Sequence, residues 1–469
     1  METDIPARMD RLPFSRFHVL VVTALGITWV LDGLEVTIIG SIGPILQDRS
    51  TLALTAQDIG SVAAFYVLGA VSGAVFFGWL TDRFGRRAIF NVTLGIYLLG
   101  VLTTAFSWNF WSFALFRCLT GIGVGGEYAA IDSAVDELIP ARLRGRIDMI
   151  VNGSYWGGAI MGAAASVVLL SGQFVSPDLG WRLAFGIGGS LGLFIIFLRR
   201  FVPESPRWLV THARAEAAER TTRDIESSIE RRGGKLPRAK GKLKVRPQPR
   251  FGFGVILGGM GGKNLPRSVL ALTLMVAQAF LFNSVFFTYG LVLSTFYHVN
   301  PARIGLYILP LAAGNLLGPL LLGPLFDSVG RRRMVTGTFA VSGVLLAAVA
   351  VLFGMGLLTA YTQTAAWMVI FFFSSTAASS AYLTTSEIFP LETRALALAL
   401  FYAIGTASGG IIAPWLFGQL IGSGAAWAVA SGYIAAAVLM LTGAGMEAWL
   451  GINAEGKSLE SVATPLSSQ

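Results

Sequence analysis

Gly78-Trp79-Leu80-Thr81-Asp82-Arg83-Phe84-Gly85-Arg86-Arg87 and Gly323-Pro324-Leu325-Phe326-Asp327-Ser328-Val329-Gly330-Arg331-Arg332 carry one pattern, G-x-x-x-D-x-x-G-R-R, at a separation of 245 residues. A second pattern, E-x-x-P-x-x-x-R, also occurs twice, at Glu137, Pro140 and Arg144 and then, 250 residues on, at Glu387, Pro390 and Arg394. Asp82 precedes Pro140 by 58 residues and Asp327 precedes Pro390 by 63, so order and spacing are both kept. Such self-similarity marks an internal duplication.

The sequence around these motifs is apolar. Of the 469 residues, 54% are hydrophobic and 13% charged, against about 25% charged in an average soluble domain. A bilayer crossing needs about 20 mostly apolar residues. Twelve such stretches follow one another, at 17–45, 58–80, 88–107, 110–134, 147–171, 181–200, 267–294, 302–326, 334–357, 364–386, 396–421 and 426–450. The expected organisation is an all-α membrane protein: tail 1–16, six-helix bundle 17–201, linker 202–266, six-helix bundle 267–450 and tail 451–469. The linker's first part, from Arg214 to Arg232, reads as a charged helix, and its Lys-, Arg-, Gly- and Pro-rich part, Gly233 to Arg250, as disordered.

The net charge of +9 raises the question of a nucleic-acid partner, which the placement of the charges answers. Between Arg199 and Arg267 stand 17 Lys or Arg against 6 Asp or Glu. Further arginines fill short loops at 83–87, 142–146, 331–333 and 394, alternating with loops that hold only Arg49, Arg182 and Arg303. The positive-inside rule puts the basic set, and with it both termini, in the cytoplasm. This explains the charge without nucleic acid and predicts a multi-pass protein of the cell (inner) membrane. Cys118 stands alone, and His18, His212 and His298 are scattered without metal-ligand spacing. With no nucleotide-binding loop, catalytic triad or metal constellation, an enzyme is not expected, nor is a cofactor.

Ionisable groups inside spans are by default functional or paired, because each costs several kcal/mol in lipid. The first span holds Asp32 and Glu35, three residues apart and so on one helix face, and the fourth holds Arg117 and Glu127. With the first helix running outward and the fourth inward, Asp32 and Arg117 come to similar depth and can meet, with Glu35 about 4.5 Å further out. A permanent structural ion pair is the plain alternative. Asp82 and Asp327 sit at helix ends among arginines, where a carboxylate can bond free backbone N–H groups or a guanidinium. The runs Gly121 to Gly126, Gly153 to Gly162 and Gly405 to Gly410 read as close helix packing.

With Pro203-Glu204-Ser205-Pro206-Arg207-Trp208-Leu209 after the sixth span, the chain resembles the major facilitator superfamily, in its sugar-porter-like branch, over essentially its whole length. The resemblance implies two bundles rocking about a central site. It implies that Asp82, Arg83, Arg86, Arg87, Glu137, Arg144, Asp327, Arg331, Arg332, Glu387 and Arg394 hold the cytoplasmic side closed, although the arginines could simply fix topology. It also implies a proton as coupling ion, since proton-coupled members place an Asp on the first helix near an Arg on the fourth. Asp32 would accept the proton and Arg117 would tune it. Glu35 is a second proton site or a substrate contact, and Glu127 a packing or gating residue.

The sugar-recognition pattern is incomplete. Gln278 and Asn283 match family positions on the seventh helix, but Ala277 replaces a glutamine, Tyr382 stands where a Trp is usual, and no glutamine appears from Asn152 to Gly162. Arg11-Leu12-Pro13-Phe14-Ser15-Arg16-Phe17-His18 and Leu31-Asp32-Gly33-Leu34-Glu35 are instead similar to bacterial metabolite:proton symporters of the niacin, aromatic-acid and organic-ion type. The expectation is secondary active transport of a small organic metabolite, an organic or aromatic acid, by proton symport. Candidate substrate residues are Asn152, Tyr155, Gln278, Asn283, Tyr382 and Trp415, beside Asp32 and Glu35. Expected partners are that solute and membrane lipid, with a monomer as the working unit. A facilitator or exchanger, a sugar:proton symporter and a non-transporting sensor stay open as alternatives.

Overall fold

The computed structural model of the chain describes residues 2–169, 175–199, 202–231, 235–239, 241–244, 258, 260–286, 288–299 and 304–464. In chain order the first half comprises β1 (Glu2–Thr3), α1 (Ile5–Asp10), α2 (Arg16–Leu46), α3 (Ala56–Phe84), α4 (Arg86–Thr104), α5 (Phe110–Leu138), α6 (Arg144–Leu169) and α7 (Pro177–Arg199). The connecting region contributes α8 (Pro206–Thr211), α9 (Ala215–Glu230), β2 (Leu243–Lys244) and a 3₁₀ turn, Gly262–Asn264. The second half comprises α10 (Leu265–Phe286), α11 (Tyr289–Tyr297), α12 (Ile304–Ser328), α13 (Arg331–Gly354), α14 (Ala360–Ile388), α15 (Arg394–Ala407), α16 (Ala413–Gly422), α17 (Ala426–Leu450) and α18 (Leu459–Val462).

Helix starts follow local chemistry. Thr55, Asn109 and Thr359 each accept a hydrogen bond from the third backbone N–H of α3, α5 and α14, the capping-box arrangement. Helices α4 and α13 start at Gly85 and Gly330, whose φ of 100° and 113° belong to a region that side chains with a Cβ rarely enter. The second glycine of each repeated motif is therefore a turn requirement.

Twelve crossings in two six-helix bundles result: α2 to α7, then α10 with α11, α12, α13, α14, α15 with α16, and α17. Among the described residues, ten helices are long and apolar enough to span a membrane. The other two, α5 and α6, carry Arg117, Glu127, Asp132, Asp136 and Asp148 and so dilute their own hydropathy with a polar interior. Two expected spans are interrupted. The seventh divides into α10 and α11, and the eleventh carries a π turn at Ser408–Ile412 where Gly409 meets α10. A Cβ on Gly409 would lie 2.5 Å from the Ala279 carbonyl carbon, so the contact fixes both the glycine and the local unwinding.

Small residues set the packing inside each bundle. Cβ atoms on Gly121 and Gly125 of α5 would approach the Tyr66 and Ala70 carbonyl oxygens of α3 to 2.2 and 1.9 Å. Helices α2 and α6 meet in the same way at Gly33 and Gly158, and α12 and α14 at Gly314 and Gly318. Between bundles, α3 crosses α15 where Gly78 faces Ala399, and α6 crosses α12 where Gly323 faces Met149. The first glycine of each motif thus marks a bundle-to-bundle crossing.

The N-terminal segment before α2 is folded against the connecting region. Ile5, Met9 and Leu12 are buried with Trp208, Leu209, Ile225 and Ile229, forming one apolar cluster with the ends of α2 and α5. The β1 strand pairs antiparallel with β2, tying the N-terminus to the connecting region. Residues 233, 234, 240 and 245–250, half of the stretch expected to be disordered, lie outside the described residues.

Candidate functional site

The two repeated motifs assemble at the end of the molecule where both termini lie, and each reaches across to the other bundle. Asp82 accepts hydrogen bonds from the backbone N–H groups of Ala395 and Leu396, at 3.3 and 2.9 Å, in the first turn of α15. Asp327 accepts from those of Gly145 and Arg146, at 3.2 and 2.8 Å, in the first turn of α6. These first-turn N–H groups have no carbonyl partner within their own helix, and a carboxylate there is also favoured by the helix dipole.

Four buried arginines complete the closure. Arg86 lies 2.8 Å from Glu137 and 3.3 Å from Asp82, and donates to the Leu391 carbonyl of the other bundle at 3.2 Å. Arg331 lies 2.9 Å from both Asp327 and Glu387. Between bundles, Arg144 pairs with Glu387 at 3.3 Å and Arg394 with Glu137 at 3.5 Å. This end of the molecule is closed. Arg83, Arg87 and Arg332 do not join the bridging set: Arg83 lies over Trp79 and Phe84, Arg87 is exposed, and Arg332 donates to the Ala448 carbonyl at the end of α17.

Two further carboxylates repeat a role that reading for G-x-x-x-D motifs misses. Glu204 accepts from the backbone N–H groups of Arg86 and Arg87 at the start of α4, and Glu455 accepts from that of Arg331 at the start of α13. Their separation of 251 residues, close to that of the other pairs, is the signal that would have found them. Burial pushes the Glu204 carboxyl up, against the pull of Arg86 and of its backbone donors.

The P-E-S-P-R-W-L segment ties the termini to this end. Arg207 Nη1 bonds Glu460 of the C-terminal segment at 2.6 Å and Nη2 bonds Asp10 of the N-terminal segment at 2.8 Å. Burial works against the Arg207 charge, but Asp10 and Glu460 outweigh it and raise its pKa. Trp208 donates its indole N–H to the Asp82 carbonyl at 2.9 Å and stacks on His212 at 4.2 Å, and burial lowers the His212 pKa to about 4.

Deeper in the molecule lies the second group. Arg117 and Glu35 form a buried ion pair, with the Arg117 guanidinium 4.6 Å from the Tyr66 ring centre. Arg117 is thus paired with Glu35, and Asp32 stands one turn away on α2. Asp32 is fully buried, within electrostatic range of the hydroxyls of Tyr66, Tyr97, Tyr128, Tyr155 and Tyr402. An aromatic chain runs from here across the bundle boundary. Trp29 stacks on Tyr128 at 4.5 Å with an interplanar angle of 4°, Tyr128 meets Tyr402 edge-on at 5.0 Å, and Tyr402 lies 6.2 Å from Tyr382. Tyr382 is hydrogen-bonded to Gln278. Tyr155 lies 6.3 Å from Trp29, and Trp156 stacks on Phe282 of the other bundle at 6.0 Å.

The structure therefore brings Asp32, Glu35, Arg117, Tyr155, Gln278 and Tyr382 to one region and adds Trp29, Tyr66, Tyr128 and Tyr402, which the search for ionisable and amide groups passes over. Glu127 is buried towards α4, in range of Tyr97. Asn283 turns back onto its own helix, donating to the Ala279 carbonyl at 2.6 Å. Trp415 is 66% exposed and stands apart from the buried group. Asn152 donates to Asp132 and to the Asp148 carbonyl, nearer the closed end. Asp132, Asp136 and Asp148, fully buried there, are the acids that a reading of the span charges should have included. Among the described residues no group of three or more His, Cys, Asp or Glu has metal-holding geometry.

The family described as Sugar (and other) transporter matches residues 27–464. The niacin transporter NiaP of Acinetobacter baylyi is 28% identical over 469 residues, covering 98% of this chain and 99% of that protein. The 4-hydroxybenzoate transporter PcaK of the same organism is 24% identical, covering 90% and 88%. Among solved structures, the major facilitator proton:xylose symporter XylE bound to 6-bromo-6-deoxy-D-glucose superposes with a TM-score of 0.75 at 19% identity, over 95% of this chain and 98% of that one.

Proposed function

We propose, from the premise that this chain belongs to the sugar (and other) transporter family of the major facilitator superfamily, that it is a proton symporter of a small planar organic acid. A membrane transporter of this superfamily is established by the family match and the fold; the coupling ion, the solute and the sidedness are our reading. The observation that carries it is the buried Arg117–Glu35 pair with Asp32 one turn away, set against an aromatic chain that joins the two bundles. A ring between aromatic faces gains about 0.5–1.5 kcal/mol per pair beyond burial, and tyrosine hydroxyls and the Gln278 amide N–H can donate to an acid's oxygens. That NiaP carries niacin and PcaK 4-hydroxybenzoate supports a ring-bearing acid.

Protonation in the Asp32–Glu35–Arg117 group changes the charge that the bundle must bury, and so biases which packing is favoured. The closed motif end, read as cytoplasmic from its basic loops, would open as Asp82 and Asp327 release their helices. For a monovalent acid anion moving with one proton the charges cancel, so the pH gradient alone drives it. Each pH unit is then worth about 1.4 kcal/mol, or roughly tenfold accumulation.

Uptake into vesicles containing the purified chain tests this, with aromatic acids, small carboxylates and hexoses offered with and without an imposed pH gradient. Aromatic-acid uptake should rise with the gradient and lose that response in Asp32→Asn. Gradient-independent uptake unchanged by Asp32→Asn would end the symport reading, and uptake of hexoses alone would end the substrate reading.

A further inference from the structure

Between the central group and the closed end lie three carboxylates to which the transport scheme gives no role. Asp132 and Asp136 stand four residues apart on one face of α5, and Asp148 projects from α6; all three are 0% exposed. Along α5 at 1.5 Å per residue, Asp132 is one turn beyond Tyr128 of the aromatic chain and about 7 Å before Glu137 of the closure.

Their charge is not balanced. The buried arginines Arg86, Arg144, Arg331 and Arg394 are met by as many carboxylates, Asp82, Glu137, Asp327 and Glu387. Asp132, Asp136 and Asp148 are additional. Asp136 has Arg144 Nε at 3.9 Å, with Arg394, Glu387 and Ser386 also around it. Asp132 faces Asp136, Asn152 and, from α14, Tyr382. Asp148 faces Asp132, Asp136, Glu387 and Arg331, and neither of its oxygens has a hydrogen-bond partner among the described residues.

A separate observation comes from a neutral side chain. Asn152, 6% exposed, spends its N–H donors on Asp132 Oδ1 at 3.5 Å and the Asp148 carbonyl at 3.1 Å, while its Oδ1, among these acids, has no donor. An amide oxygen beside bare carboxylates is left unsatisfied, and an ionised carboxylate without partners in a dry interior neutralises instead. A proton on Asp132 or Asp148 removes one unit of the surplus charge and supplies a donor to the cluster.

We propose that Asp132, Asp136 and Asp148 form a second proton-binding station, loaded while the motif end is closed and emptied to water when it opens. Emptying breaks a carboxyl O–H bond, the proton passes to entering water, and the carboxylate left behind is then solvated. Nothing is oxidised or reduced. The proposal rests on the proton-coupled reading of the central group, and its test keeps the two apart.

Infrared spectra of the full chain in lipid at neutral pH should show a protonated-carboxyl band that weakens in Asp148→Asn and in Asp132→Asn and returns in Asp148→Glu. In vesicles, lowering the pH on the motif side should slow gradient-driven uptake by the wild type. Asp148→Asn should shift the midpoint of that dependence by a unit or more, while solute counterflow, which needs no net proton release, stays within twofold. An infrared band unchanged in both variants, or an unshifted profile, would overturn the station even where Asp32→Asn abolishes the gradient response. A shifted profile in Asp148→Asn with a normal response in Asp32→Asn would keep the station and remove the central reading. Uptake that follows a sodium gradient instead would overturn the station.

Discussion

Arg117 sits in a bundle interior with Glu35 as its ionic partner and the Tyr66 ring over its face. Breaking a buried pair from one side costs about 3–5 kcal/mol, because the surviving charge is stranded. We expect Glu35→Gln and Arg117→Gln each to lower the thermal midpoint in detergent, and the double variant to lose less than the sum; strictly additive losses would argue against a direct pair. Asp32 and Glu35 were legible in the sequence as in-span acids, but that Glu35 pairs with Arg117 was not. Asp32 and Glu35 differ in depth by about 4.5 Å, less than the reach of an arginine side chain. His212 gives a pH-dependent expectation. Its pKa falls from 6.5 to about 4 through burial, so the folded state resists protonation while the unfolded chain does not. Its contribution is present in full above pH 6.5 and is lost as pH falls towards 4, by about 3 kcal/mol. The thermal midpoint of the wild type should therefore fall more steeply between pH 6.5 and 4 than that of His212→Phe, which keeps a ring against Trp208 and has nothing to protonate.

At the scale of elements, contacts of helix on helix are set by glycines. A Cβ on Gly158 would lie 1.8 Å from the Val30 carbonyl oxygen, and one on Gly33 1.9 Å from that of Tyr155. Backbone has to move, so Gly158→Ala and Gly33→Ala should each destabilise by about 1–3 kcal/mol, while Gly157→Ala, with nothing near its Cβ position, should not. Comparing detergent-stable yield and thermal midpoint for the three variants checks this. Crossings are readable in sequence because lipid demands long apolar runs, and the π turn was not, because its cause is a contact between α15 and α10. The folded N-terminal segment was partly readable. Ile5, Met9 and Leu12 are spaced as a helical stripe, but a six-residue helix gives no strong periodic signal. That segment is held by Arg8 and Arg11 on Glu226. Burial raises the Glu226 pKa, but hydrogen bonds from both arginines outweigh it and leave it depressed. The attachment should thus be intact above the ordinary glutamate value of 4.5 and loosen as pH falls below it, read as protease sensitivity of the first fifteen or so residues.

At the scale of the molecule, closure depends on two helix N-termini held by carboxylates of the opposite bundle. Hydrogen bonds to charged groups contribute about 1.5–3 kcal/mol, so Asp82→Asn or Asp327→Asn should shift the closed-to-open ratio about tenfold or more, and the double variant further. Cys118 is the sole cysteine, so once it is replaced, a cysteine placed at Met149 or Ala399 should label faster in these variants; unchanged labelling would show that the carboxylates do not hold the closure. Duplication made the participating residues legible, because the motif pairs recur at nearly one spacing. It did not reveal that Asp82 serves α15 and Asp327 serves α6, because a repeat gives the residues of each half and not the direction in which they reach.

That direction has a consequence for descent. Each half offers a carboxylate and a helix start, and each accepts the other's, which is the self-complementary pattern of a two-fold homodimer. An interface of this kind needs no covalent connection to choose its partner. Co-produced fragments 1–231 and 258–469, divided between α9 and α10, should therefore find each other and restore transport. Charge reversal at Asp82 alone should prevent their reunion.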